Sequence, residues 1–401
     1  MIWRLAFARL GRLWPIAGLA AALVGGGVTV SLLQQARELA RRTELWPCTV
    51  PLPTGPWHIG RTTIALDAMS AGDRRAGSLN AELWYPAEVS DRRPTHQRCL
   101  GLTFWRKPEV LVTGSLLVAA TGTTLPLLVY LPGWGNRRDD NTFVLAELAS
   151  HGFVVIALDD IAHDPPAEGG SAPEPVPPFD LGSEASYARS LAVAERRVGR
   201  SAARVSQVLD RLAALNASSH GSLLDGHIDL SRIGVIGFSF GGTAAAEALL
   251  HDPRLRAGAN LDGGHMYGEI SKTTIEKPYL ALNSDFGDLA EAAQSEDIER
   301  RLTARMVIKD REIMRRQSSH PGSAVLLIKK TEHTDFSDRL FATTLASVLK
   351  GNARSQATLD RIRAVTDRLL VGFFKRALVD QSKDAAAGTL KARDPEVEML
   401  P

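Results

Sequence analysis

Gly237-Phe238-Ser239-Phe240-Gly241-Gly242 is the densest chemical signal in the chain, lying directly after the apolar run Ile233–Gly237 and directly before an Ala-rich helical stretch. Ser239 therefore occupies a strand–turn–helix junction with G-x-S-x-G spacing. Glycines on both sides let strand and helix approach there. The hydroxyl projects from the sheet edge, and the helix N-terminus behind it favours developing negative charge. A serine hydroxyl is a poor nucleophile without a base, and the partners that accompany such a junction follow in the order Ser, then Asp or Glu, then His. His333, in TEHTDFSD, is the one histidine of ten that comes after the last expected strand. His265, just beyond another strand, and His320, in a Ser/Pro loop, are second choices. Two aspartates contend for the acid: Asp262 ends AGANLD and Asp285 ends YLALNSD. Each stands at the carboxyl end of a strand, where a carboxylate can orient an imidazole, and pattern alone does not separate them. An oxyanion needs fixed donors. The backbone N–H of Phe240, next to the serine, is one candidate, and that of Trp134, in the Gly-rich VYLPGWGN turn, is the other.

The elements that must hold these residues alternate strand and helix. Gly60–Met69 and Leu79–Tyr85 are β-rich and separated by a Gly/Asp/Arg turn region, which predicts a hairpin. Leu127–Leu131 and Phe153–Leu158 are short continuous apolar runs, as expected of strands covered on both faces, with a helix over Asn141–Ser150 between them. Residues 186–215 carry apolar groups at helical spacing, and further strands are expected at Ala257–Leu261, Tyr279–Asn283 and Ala324–Ile328. This alternation specifies an α/β fold with a mostly parallel central sheet, helices on both faces and an N-terminal antiparallel hairpin. Residues 164–180 are Pro/Gly/Ser-rich and read as a surface loop, and 286–317 as a charged helical cap or excursion. The chain divides into a basic leader (1–12), an apolar segment (13–33), a tether (34–50), a catalytic domain (51–380) and a flexible tail (381–401).

Composition narrows the class. The chain has 401 residues, 44% apolar and 23% charged, with a net charge of +2, so a basic nucleic-acid surface is not expected. Two cysteines, Cys48 and Cys99, are too few for a disulfide scaffold or a thiolate zinc site, and whether they pair is left open. No H-E-x-x-H zinc motif occurs, and neither a cofactor nor a metal is expected. Leu13–Leu33 carries no charge over 21 positions, behind Arg4, Arg9 and Arg12. About 20 apolar residues suffice to cross a bilayer as a helix, so an uncleaved signal anchor is the expectation, with a signal peptide cleaved near Ala20-Ala21-Ala22 as the alternative. The catalytic body would then face the periplasm or exterior, membrane-anchored or secreted. Arginines balance across the run, with Arg37, Arg41 and Arg42 behind it, so orientation rests on the first-helix default.

Taken together, GPWHIGRTTIALD…AELWYPAE, LPLLVYLPGWGNRRDDNTFVLAELASHGFVVIALD, SRIGVIGFSFGGT, GANLDGG and HTDFSD resemble, in this order, the platelet-activating factor acetylhydrolases, over about residues 53–345. The resemblance implies an α/β-hydrolase fold and an esterase that releases short or oxidised acyl chains from phospholipids or related lipids without a metal. It implies Ser239 as nucleophile, His333 as base, Asp262 rather than Asp285 as acid, and Trp134 and Phe240 as oxyanion donors. PGWG stands where HGLG-like sequences are common in that family, and the Pro-rich 164–180 loop replaces a short segment. An acyltransferase or another esterase with the same triad is the neighbouring alternative. A membrane-tethered, non-catalytic binding module is the alternative from another class.

Overall fold

Side chains of the Leu127–Leu131 run divide between two layers: Leu127 and Val129 enter one apolar core, Leu128 and Tyr130 the other. A strand covered on both faces must be apolar at every position, which is why this run and its neighbours show no alternation. In the computed structural model, which describes residues 52–66, 79–87, 124–164, 176–217, 224, 226–341, 354–381 and 394–400, nine strands form one sheet. They are β1 (His58–Leu66), β2 (Leu79–Ala87), β3 (Leu125–Leu131), β4 (Val154–Ala157), β5 (Ile228–Phe238), β6 (Leu255–Leu261), β7 (Tyr279–Asn283), β8 (Ala324–Ile328) and β9 (Val397–Met399). Their order is β1-β2-β4-β3-β5-β6-β7-β8-β9. β3 to β8 are parallel, β1 and β2 form the antiparallel pair expected, and β2 runs antiparallel to β4.

The helices are α1 (Thr142–Ser150), α2 (Glu184–Ala217), α3 (Phe240–His251), the single turn α4 (Leu289–Ala292), α5 (Ile298–Gln317) and α6 (Gln356–Phe374). α2 and α3 cover one face through Val198, Val205, Leu209, Ala245 and Leu249. On the other face lie α1 and α6, through Phe143, Leu148, Leu369 and Phe373. Together these make the expected α/β architecture.

One expectation changes. Within the stretch read as a flexible tail, the described residues 394–400 are ordered: Val397–Met399 pairs antiparallel with β8, Lys329 N–H donates to Glu396 O (2.8 Å) and Leu400 N–H to Val325 O (2.9 Å). Arg361 pairs with Glu396 at 2.6 Å, and the partly buried Leu400 packs on the core. An exposed edge of β8 is thereby covered, a need that three residues of local sequence do not announce. The charged 286–317 stretch, expected as a helical cap or excursion, forms the turn α4 and the helix α5. Gln317 of α5 binds Ile275 N–H, Ile270 O and Thr273 O, and Asp310 accepts from His265 N–H. The 13–33 segment, Cys48 and Cys99 lie outside the described residues. Among the described residues, no helix is long and apolar enough to cross a membrane.

Sheet order also locates the crevice. The chain leaves β3 for β4 on one side and returns to place β5 on the other, so the winding direction reverses between β3 and β5. In such sheets ligands enter where the strand ends open at this reversal. Ser239 lies at the carboxyl end of β5, and Trp134 just past the carboxyl end of β3.

Candidate active site

Ser239 has φ 55° and ψ −125°, a conformation natural to glycine and costly for serine. The turn is enforced from both sides. A Cβ on Gly237 would meet Gly241 O at 2.1 Å, and one on Gly241 would meet Leu131 O at 2.2 Å. Strand and helix can approach this closely only with glycine at both positions. Ser239 N–H donates to Leu261 O (2.8 Å), which pins the turn to the end of β6.

The same strand end carries Asp262, whose N–H donates to Leu282 O (2.8 Å) and whose φ of 56° turns its side chain out of the sheet. Its carboxylate accepts from Ser284 N–H and from Ser284 Oγ, each at 2.7 Å, and lies 2.7 Å from His333 Nδ1. His333 Nε2 lies 2.9 Å from Ser239 Oγ. Ser239, His333 and Asp262 thus form one hydrogen-bonded line. The Asp262 side chain is 5% exposed and that of His333 45%, so the acid is enclosed while the imidazole edge is open to an incoming molecule. Desolvation alone would lower the imidazolium pKa. The hydrogen bond and charge of Asp262 outweigh it and hold the pKa above the ordinary histidine value.

Asp285 is placed elsewhere. Its carboxylate accepts from Lys330 N–H (2.9 Å) and Gly287 N–H (3.1 Å), which makes it a loop acceptor. The alternative histidines are engaged locally: His265 is fully buried against Tyr279 Oη (2.7 Å), and His320 Nδ1 accepts from Gly322 N–H (3.0 Å).

His333 heads a short 3-10 turn, His333–Phe336, in which Glu332 N–H donates to the Asp335 carboxylate at 2.7 Å. Phe238 stacks on the imidazole, ring centroids 5.0 Å apart. The H-x-x-F-x-D ending then ties this turn to α1. Asn141 Nδ2 donates to Phe336 O, and Asp338 N–H donates to Asp140 O (2.9 Å). The Asp338 carboxylate accepts from Thr142 Oγ1 and from Phe143 N–H (3.2 Å), so it caps α1 in place of Asn141, whose side chain makes no cap. Burial drives the Asp338 carboxyl up to about 7.

Phe240 is the first residue of α3, where an N–H has no acceptor within its own helix. Trp134 stands in the turn after β3, its ring edge-on to that of Phe240 at 5.0 Å. No hydrogen bond among the described residues uses either N–H. Trp134 Nε1 donates to Pro177 O (2.8 Å), so the described end of the Pro-rich loop leans on this turn.

Ser284 and Asn260 were not foreseen. Asn260 Oδ1 accepts from Gly263 N–H (2.7 Å) and its Nδ2 donates to Gly263 O (2.8 Å), clamping the loop that presents Asp262. Asn260 stands inside the GANLDGG segment and Ser284 inside YLALNSD, but nothing in either pattern marks them as partners of the acid or of its loop. Asp338 did have a signal, as the last residue of HTDFSD.

The family model described as platelet-activating factor acetylhydrolase, isoform II, matches residues 194–396, half of the chain, and this span contains Ser239, Asp262 and His333. The platelet-activating factor acetylhydrolase of Cavia porcellus is 26% identical over 353 residues, covering 78% of this chain and 75% of the relative. That of Canis lupus familiaris is 26% identical over 277 residues, covering 59% of this chain and 60% of the relative. Among solved structures, a ferulic acid esterase from Streptomyces cinnamoneus superimposes with a TM-score of 0.57 at 22% identity, over 88% of this chain and 99% of that one, a likeness of fold alone. The chain belongs to the platelet-activating factor acetylhydrolase family of α/β-hydrolases, and it is a serine hydrolase of carboxylic esters.

Proposed function

We propose that Ser239, His333 and Asp262 are the catalytic triad of this esterase, and that its substrates are short or oxidised acyl esters of phospholipids or related lipids. The observation that carries the assignment is the unbroken line from Ser239 Oγ to His333 Nε2 (2.9 Å) and from His333 Nδ1 to Asp262 Oδ2 (2.7 Å). Nε2 takes the hydroxyl proton as Oγ attacks the ester carbonyl, while Asp262 accepts the Nδ1–H and stabilises the imidazolium that forms. The N–H groups of Phe240 and Trp134 receive the oxyanion. The alcohol leaves with the proton from His333, and a water molecule activated by the same nitrogen then hydrolyses the acyl-serine. Support for the substrate class comes from the names of the relatives, which are platelet-activating factor acetylhydrolases.

A panel of glycerophospholipids graded in sn-2 acyl length, offered to the full-length protein with and without glycerol or sugar acceptors, tests this reading. The expected result is a kcat/KM highest for acetyl and falling steadily with length, with the acyl group recovered as free acid. Preference for unmodified long chains overturns the substrate class, and acyl recovered on the added acceptor identifies a transferase.

We further propose that Leu13–Leu33 anchors the protein with its catalytic domain outside the cytoplasm; the support is the uncharged run of 21 residues behind three arginines. The full-length protein should stay in the membrane pellet after carbonate extraction, and protease added to intact spheroplasts should degrade the catalytic domain. A soluble mature form beginning near Leu23 would mean a cleaved signal instead.

A further inference from the structure

Arg197 is a charged residue on the wrong face of its helix. Its neighbours along α2, Ala194, Val198, Ala202 and Val205, all enter the apolar core, and Arg197 itself is only 9% exposed. A buried guanidinium is costly unless its surroundings compensate for lost water. Three groups do so. Its Nη2 donates to Asp160 Oδ1, and the side chain of Asp160 is 1% exposed. The guanidinium carbon lies 4.9 Å from the centre of the Trp134 ring and 5.6 Å from that of Phe240. Both rings belong to the residues whose N–H groups receive the oxyanion in the proposed mechanism.

Asp160 acts on the same turn. Its Oδ2 accepts from Gly135 N–H (3.3 Å), and its own N–H donates to Asn136 O (3.0 Å). The peptide units following Trp134 are therefore fixed by the partner of the cation that grips the Trp134 ring.

We infer that Arg197, with Asp160, is a positioning residue of the oxyanion hole, holding the Trp134 and Phe240 donors at a fixed separation from a common anchor on α2. This rests on the assignment of those two N–H groups above. The physical need is clear from the topology. One donor follows β3 and the other begins α3, so no local hydrogen-bonded turn spans the two. Oxyanion donors lower a barrier only when already in place as charge develops, and a displacement near 1 Å can cost about 100-fold. A planar cation contacting both rings, and hydrogen-bonded to the carboxylate that fixes one donor's turn, restrains both segments together. Lysine would keep the charge but not the planar contact.

The test compares p-nitrophenyl acetate with its thiono analogue, in which sulfur replaces the carbonyl oxygen and makes a poorer hydrogen-bond acceptor. The wild-type protein should prefer the oxygen ester by about 100-fold or more. Arg197→Met should lose about 10- to 100-fold in kcat/KM on the oxygen ester, mainly in kcat, and far less on the thiono ester, so that the preference shrinks by about tenfold. Arg197→Lys should restore part of both activity and preference. Asp160→Asn reports the same ratio should Arg197→Met not fold, folding being checked by near-UV circular dichroism. An activity loss with an undiminished oxygen-over-sulfur preference overturns the inference, because a merely structural role lowers both substrates alike. Absence of that preference in the wild type overturns the donor assignment itself, and the inference with it.

Discussion

Replacing Ser239 by alanine lowers kcat/KM for a simple ester by about 10⁴- to 10⁶-fold, because members of a triad act as a unit and removing one disables the others. The melting transition stays where it was. Alanine suffers at φ 55° as serine does, and the one hydrogen bond lost is to a half-exposed imidazole. Glycine at the same position abolishes activity equally but stabilises the fold, by about 1 kcal/mol, since it adopts this backbone conformation without strain. The pair of variants separates the two properties stored at one residue. Activity is read with p-nitrophenyl acetate and a fluorophosphonate label, stability by calorimetry. Turnover or labelling retained in Ser239→Ala removes the serine from the mechanism, and a glycine variant no more stable than wild type removes the strain.

Changing Asp262 to asparagine costs about 10⁴-fold in kcat, because an amide presents the imidazole with the wrong hydrogen-bonding partner and no charge. Asp285→Asn stays near wild-type activity, its carboxylate being occupied by Lys330 and Gly287 N–H groups. The pH profile adds a sign. His333 must be neutral to act as base, and its pKa is held above the ordinary 6.5 by Asp262, so kcat/KM of the wild type climbs to its plateau through a midpoint above that value. In Asp262→Asn the partner's charge is gone while burial remains, and burial disfavours the imidazolium. The acidic limb therefore moves to lower pH. An unmoved limb would mean that another group sets it, and a mild Asp262→Asn beside a crippled Asp285→Asn would exchange the two assignments.

Much of the site was legible because its demands on sequence are local. A serine at a glycine-flanked strand–helix junction needs small residues two positions either side of it, and Gly237 and Gly241 are visible as such. Strands covered on both faces need unbroken apolar runs, which is why β3 to β8 could be read directly. His333 was recoverable from its place after the last parallel strand. The pattern could not decide between Asp262 and Asp285, since both end strands, and the resemblance to a family had to choose. In space only Asp262 lies beside the imidazole. β6 and β7 are adjacent, and the positive φ of Asp262 turns its carboxylate towards His333, whereas the Lys330 and Gly287 amides draw Asp285 into its own loop.

Other features depended on residues far apart in the chain. β9 forms by pairing with the distant β8, and a three-residue strand has too short a pattern to be seen alone. Ser284 binds Asp262 across 22 positions, Asp338 caps α1 across 195 or more, and Arg197 meets Asp160 across 37. By itself the sequence determined the strand–turn–helix setting of Ser239 and the layered α/β architecture, because backbone sterics and apolar periodicity act over a few residues. Only the tertiary structure decided which carboxylate faces the imidazole and what packs against the Trp134 turn, because a hydrogen bond or a ring–cation contact depends on distance in space and leaves no periodic trace along the chain.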